Sequence, residues 1–205
     1  MLDLDVIETP AAAALVLDPI KARLLAELAK PASAATLAGR VGLTRQKVNY
    51  HLKALEAEKL VRQAEERQWG GITERLLVAT AGSYVVSPAA LGPIASDPEL
   101  SRDRLSASYL IALAARIVRE VGTLWRGAAD QDKRLATLSI DTVIRFASPA
   151  ERAAFTADLA DAVATLAARY HDETAPGGRP HRLVVAAYPA PKTEPEETRN
   201  YADQV

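Results

Sequence analysis

Residues 33–61 read SAATLAGRVGLTRQKVNYHLKALEAEKLV, and their spacing decides the fold. Ser33 is placed to cap a short helix over 34–41 that buries Leu37, Ala38 and Val41. Gly42 ends that helix, Leu43 puts an apolar side chain into the turn, and Thr44 caps the next helix. This second helix, over 45–58, buries Val48, Leu52 and Leu55. Helix, tight glycine turn and helix make a helix-turn-helix. Between the buried positions of the second helix stand Arg45, Gln46, Lys47, Asn49, Tyr50 and Lys53. Such side chains offer paired donors and acceptors to base edges and cations to phosphates, and they crowd toward the helix N-terminus, the end that enters a major groove.

Working upstream, Thr9-Pro10 starts a helix over 11–17 and Asp18-Pro19 repeats the signal. Ile20, Leu24, Leu25 and Leu28 then recur at helical steps until Pro31 stops them. Downstream, residues 61–68 and 72–79 read as two strands hinged at Trp69-Gly70-Gly71, a β-hairpin carrying Arg62, Arg67 and Arg75. A hairpin directly after the second helix of a helix-turn-helix is a wing. His51 and Trp69 read as packing groups.

The run from Asp18 to Ala79 resembles the ArsR-type winged helix-turn-helix regulators. The matching pieces are Asp18-Pro19 opening a helix, Ala35-Thr36-Leu37-Ala38 in the support helix, Tyr50-His51-Leu52-Lys53-Ala54-Leu55 in the reader, and Leu60-Val61 leading into the wing. The resemblance implies a homodimer that binds double-stranded operator DNA as a repressor and lets go when an effector binds. It covers roughly the first 80 residues. Metal-sensing members hold paired cysteines on the support helix or acidic and histidine ligands on a terminal helix. This chain has alanine and leucine at the support-helix positions, so the metal chemistry is not carried over.

Composition narrows the remaining choices. The chain has 205 residues, enough for one large or two small domains, with 49% hydrophobic and 25% charged residues. The formal net charge is −1, which excludes a uniformly basic coat. Residues 18–79 nevertheless hold eleven Lys or Arg against seven Asp or Glu. Cysteine is absent, which removes disulfides, thiolate metal sites and thiol nucleophiles together. The acidic start, Met-Leu-Asp-Leu-Asp, lacks the pattern of a secretory signal, and no apolar run approaches a bilayer span. A cytoplasmic protein without membrane partner is expected. Abundant alanine favours helix.

The second half reads as a helix-strand-helix-strand module, so the fold class expected is mainly α with small β elements (α+β). Leu105, Tyr109, Ala112, Leu113, Ile117, Val121, Leu124 and Trp125 mark a long helix over 100–129 with a wide apolar stripe. Residues 136–147, ATLSIDTVIRFA, alternate as a strand. Ser148-Pro149-Ala150-Glu151 is a capping box for a helix that runs to about 174 with Phe155, Leu159, Val163, Leu166 and Tyr170 on one face. Pro176-Gly177-Gly178 breaks it, and 181–188, HRLVVAAY, is a second strand. The expected organisation is a winged helix over 1–80, a connection over 81–100, an α/β dimerisation and sensing domain over 101–189, and a loose tail over 190–205.

Function follows from those parts. Arg45, Gln46, Asn49 and Tyr50 are assigned to base readout, and Thr44, Lys47, Lys53, Arg67 and Arg75 to phosphate anchoring. Tyr109, Trp125, Phe146 and Tyr170 are the aromatic candidates for a small, non-metal effector site. His171-Asp172-Glu173 point in different directions around a helix end, so a solvated end is expected rather than a metal site. No Ser-His-Asp spacing, nucleophile elbow, phosphate-cradling loop or zinc-protease motif appears, so neither enzyme activity nor a cofactor is expected. The alternative is a winged-helix protein-interaction scaffold that does not bind DNA.

Overall fold

A computed structural model describes residues 2–69 and 72–191. It divides into two compact units, Met1–Ala136 and Thr137–Val205. Mixed helix and strand content is what the sequence led us to expect, with the helix-turn-helix and its wing at the N-terminal end.

The first unit begins with β1 (Asp5–Ile7), followed by α1 (Pro10–Val16), α2 (Pro19–Glu27), α3 (Ala34–Val41) and α4 (Arg45–Ala57). Each of the four helices is started by its expected cap. The side chains of Thr9, Asp18, Ser33 and Thr44 accept backbone N–H groups of the first turn, and Pro10 and Pro19 occupy the first helical position. Then come β2 (Val61–Trp69) and β3 (Ile72–Ala79), which pair antiparallel with an irregularity between Gln63 and Glu65. The glycine pair expected to form the hairpin turn, and the side chain of Trp69, lie outside the described residues.

The hydrophobic core sits between these helices and the root of the wing. Leu24, Leu28, Leu37, Val48, Leu55, Leu60 and Val61 are almost wholly shielded from solvent. They are the periodic positions read from the sequence, plus the two residues that carry the chain out of α4. Burying a leucine or valine side chain of this kind contributes about 1.5–3 kcal/mol. Ala32, in the link between α2 and α3, exchanges two backbone hydrogen bonds with Leu77 at 2.9 Å each, adding a one-residue third strand to the wing.

One carbonyl ties the exit of α4 to the return of the wing. Leu60 O accepts the Thr80 amide at 3.0 Å, the Thr80 hydroxyl at 3.1 Å and the Tyr84 hydroxyl at 3.1 Å.

The stretch expected as a plain connection, 81–100, holds more structure than that. It contains β4 (Tyr84–Val86), which pairs in parallel with β1, and two 3-10 turns, Pro88–Ile94 and Pro98–Leu100. The β1–β4 pair was not anticipated. Each strand is three residues long, too short for an alternation signal, and the partners are separated by most of the unit.

The long helix α5 (Ala107–Asp130) starts at the Ser106 cap rather than near residue 100, where the 3-10 turn intervenes. It belongs to the first compact unit rather than grouping with 137–189. Its Gly122 lies against β1 so closely that an added Cβ would stand 2.7 Å from Val6 Cβ. Trp125 Nε1 donates to Leu4 O at 3.1 Å, and Arg126 donates to Val6 O at 2.5 Å while pairing with Glu8 at 2.9 Å.

The second unit differs from expectation in its β content. Among its described residues it has one helix, α6 (Pro149–Tyr170), which is capped by Ser148 as read from the sequence but ends at Tyr170 rather than near 174. The strands expected over 136–147 and 181–188 do not form. Among the described residues neither segment belongs to a helix or a sheet. Alternation prepares a segment for a sheet, but a strand exists only when its backbone groups meet a ladder partner, and neither segment has one here. His171 and Glu173 approach at 3.5 Å on a solvated helix end, and Asp172 turns its carboxylate to Thr174, whose amide and hydroxyl hold its pKa below the usual value. The tail expected over 190–205 falls almost wholly outside the described residues.

Candidate nucleic-acid interface

The reader surface is built by the turn that precedes it. Gly42 takes a left-handed conformation, φ 69° and ψ 31°, and lets the Leu43 amide return to Ala38 O at 3.2 Å. Nothing lies within 4 Å of where its Cβ would be, so the backbone angle alone asks for glycine there. Thr44 then accepts the Lys47 amide at 3.3 Å and starts α4. Arg23 of α2 donates to Arg40 O at 3.0 Å and Val41 O at 3.5 Å, placing a cation on the carbonyl end of α3. That clamp was not read from the sequence, because an arginine on an amphipathic helix does not announce which carbonyl it will reach.

Val48, Leu52 and Leu55 anchor one face of α4 in the core. The opposite face turns outward as expected. Thr44, Arg45, Gln46, Lys47, Asn49, Tyr50 and Lys53 are all exposed. Arg45, Gln46, Asn49, Tyr50 and Lys53 together line one open hollow of about 420 Å³. Tyr50 is 71% exposed, an uncommon state for so large a ring, and His51 lies edge-on to it at 5.6 Å between ring centres. His51 itself is half-buried, in keeping with the packing role assigned to it. Among the described residues, Arg45, Lys47 and Lys53 form no ion pair with a carboxylate. Their charge is left directed at solvent.

The wing arginines are placed differently. Arg67 is exposed and reaches Glu65 at 3.5 Å, a contact that solvent weakens. Arg75 is engaged from two sides. Its guanidinium donates to Glu56 Oε1 of α4 at 2.6 Å and to Gln63 Oε1 of β2 at 2.8 Å. The structure thus gives Arg75 an intramolecular task, bracing α4 against the wing, beside the phosphate contact assigned from sequence.

The four aromatic candidates for an effector site do not share one compact unit. Tyr109 and Trp125 are half-buried on α5, and Trp125 spends its indole N–H on Leu4 O. Phe146 and Tyr170 belong to the second unit, where Phe146 packs at a tilt on Phe155 with ring centres 5.3 Å apart and Tyr170 is exposed.

Residues 16–64 match the family model described as a helix-turn-helix domain, a stretch that runs from the end of α1 into β2. Among solved structures, the crystal structure of NolR from Sinorhizobium fredii is similar at 18% sequence identity over 55% of this chain and 82% of that one, with a TM-score of 0.29. No curated protein sequence matches the chain. The N-terminal region of the protein is a helix-turn-helix domain.

Proposed function

We propose that the chain is a dimeric DNA-binding transcriptional regulator, acting as a repressor on operator DNA, with α4 as its reader. The observation that carries this reading is the outward face of α4: two cations, two amide side chains and an exposed tyrosine around one hollow, backed by three core residues that fix the helix in place. In this reading Arg45, Gln46, Asn49 and Tyr50 meet base edges. Thr44, Lys47, Lys53 and Arg67 meet phosphates, with the positive end of the α4 dipole behind Thr44. Arg75 joins them when a phosphate replaces Glu56 as its partner.

The dimer is supported by α5. Leu110, Ala114, Ile117, Val121 and Leu124 recur at alternating four- and three-residue steps, and every one of them is half-exposed or exposed. A seam with that repeat suits a matching helix of a second copy. Two readers related by a two-fold axis would then enter successive major grooves about 34 Å apart on an inverted repeat. A small molecule held on this helix, against Tyr109 or against Trp125, would alter the angle between readers and weaken DNA binding by a coupling of about 1–3 kcal/mol.

The test is a binding titration on duplexes selected from the source genome. Asn49→Ala is expected to lose about 1–3 kcal/mol of discrimination at one base position. Lys53→Ala is expected to weaken every duplex alike and to lower the salt slope by about one. Wild-type affinity and salt slope in both variants would remove the reader assignment. Absence of binding to any duplex at low salt would leave the protein-docking scaffold as the reading.

A further inference from the structure

The second unit holds an amphipathic segment that no other described residue completes as a sheet. Over 137–147 the even positions are Leu138, Ile140, Thr142, Ile144 and Phe146, and the odd ones include Asp141, Val143 and Arg145. Leu138 and Ile140 are each 84% exposed and Val143 is 80% exposed. Phe146 meets Phe155 of α6, while Leu138, Ile140, Thr142 and Ile144 stay exposed, and Phe155, Leu159 and Val163 form a half-covered row on that helix. An alternating apolar row and a helix stripe able to cover it are therefore both present in this unit, and among the described residues no second strand joins them.

We infer that residues 137–147 pair antiparallel with the same residues of a second copy of this chain, about a two-fold axis at Val143. The charges select this register. In an antiparallel pair, directly opposed residues share a face, so only registers that oppose even to even and odd to odd keep the apolar side intact. Centring the axis on Asp141 or on Arg145 sets like charges against each other. Centring it on Thr142 or Ile144 leaves each charge opposite an uncharged residue. Centring it on Val143 places Asp141 of each copy opposite Arg145 of the other, twice by symmetry. It also sets Ile140 opposite Phe146 and Thr142 opposite Ile144, all on the apolar side that carries Phe146. Self-complementarity of this kind is what an isologous interface requires, and an unrelated partner would have no reason to match it.

The inference shares a second copy with the proposed function but rests on different residues, so the two can fail separately. The chain lacks cysteine, which makes single-cysteine variants clean reporters. On the axis, Val143→Cys meets its own counterpart at a separation a disulfide spans. In Ser139→Cys the two thiols lie eight residues apart along the pair, roughly 27 Å. Under mild oxidation of the full chain, Val143→Cys is expected to form a covalent dimer roughly tenfold faster or more than Ser139→Cys. Asp141→Arg in the Val143→Cys background should slow the cross-link, and adding Arg145→Asp should restore it. Equal rates at 143 and 139, or no response to the charge reversal, would overturn the inference. So would an intramolecular bond between cysteines placed at 143 and 184, which would show the partner to be the 181–188 segment of the same chain. DNA binding is measured on the same samples. Intact binding without the cross-link removes only this interface, and the cross-link without binding removes only the reader.

Discussion

The two compact units are built from the same sequence devices and finish differently. Both use hydroxyl or carboxylate caps, proline at the first helical position, helical apolar rows and alternating β segments. In the first unit these devices converge on a common core. Every residue in the buried hydrophobic set, from Val6 to Leu113, belongs to it. In the second unit α6 has no buried residue at all. The difference is one of number of layers. The helices of the first unit meet one another, β1 and the wing root, so each apolar row has a face to cover. Among its described residues the second has one helix and two unladdered segments, and a lone helix cannot shield its own row. Local signals specify an element, and closure of a core depends on how many elements share it.

The strongest way to break that contrast is to remove a core side chain from each unit. Leu55→Ala should cost the first unit about 2–5 kcal/mol, read as a lower denaturant midpoint. Leu159→Ala, on the half-covered row of α6, should cost far less when the protein is dilute. Its cost should rise with protein concentration if a second copy covers that row. An equal, concentration-independent loss at both positions would show that the second unit is closed within the chain.

A smaller effect is expected at the seam between α5 and β1. Gly122→Ala brings a methyl group to 2.7 Å from the Val6 side chain, so either the helix or the strand must shift. Overpacking of this kind costs about 1–3 kcal/mol. Val6→Ala in the same chain should recover part of it, and a thermal melt of the double variant checks the coupling. Additive losses would mean that α5 is not held by that contact.

The smallest expected effect is acid dependence. Hydrogen bonds from the Lys21 side chain and amide, with the Ile20 amide, lower the Asp18 carboxyl from 3.8 to about 2. A carboxyl lowered on folding stabilises fully above its unfolded value, and that contribution is lost as pH falls from about 4 through 2. Asp18→Asn should therefore flatten the decline of Tm across that window. The α6 cap is a serine and brings no such dependence. An unchanged pH profile in the variant would separate the α2 cap from acid sensitivity.

What could be read in advance follows the same division. The four caps, the buried positions of α4 and the exposure of Arg45, Gln46, Asn49, Tyr50 and Lys53 were legible because a helix encodes its inside and outside locally. The β1–β4 pair was not, since three-residue strands carry no period and their partner lies far along the chain. The Arg75–Glu56 contact was hidden for a related reason: the charge of Arg75 is visible in sequence, but its geometric partner on α4 is not. Residues 136–147 and 181–188 failed in the opposite direction. Their alternation is real, but a ladder is a property of two segments and cannot be guaranteed by one.

The Leu60 carbonyl has one more consequence. A carbonyl oxygen offers two lone pairs, and here three donors converge on it from Thr80 and Tyr84. The amide of Thr80 can exchange its hydrogen with solvent only when the end of α4, the end of β3 and the start of β4 come apart together. Its exchange should therefore track global opening of the unit rather than local fraying of the wing. The root of the wing therefore keeps time with the reader.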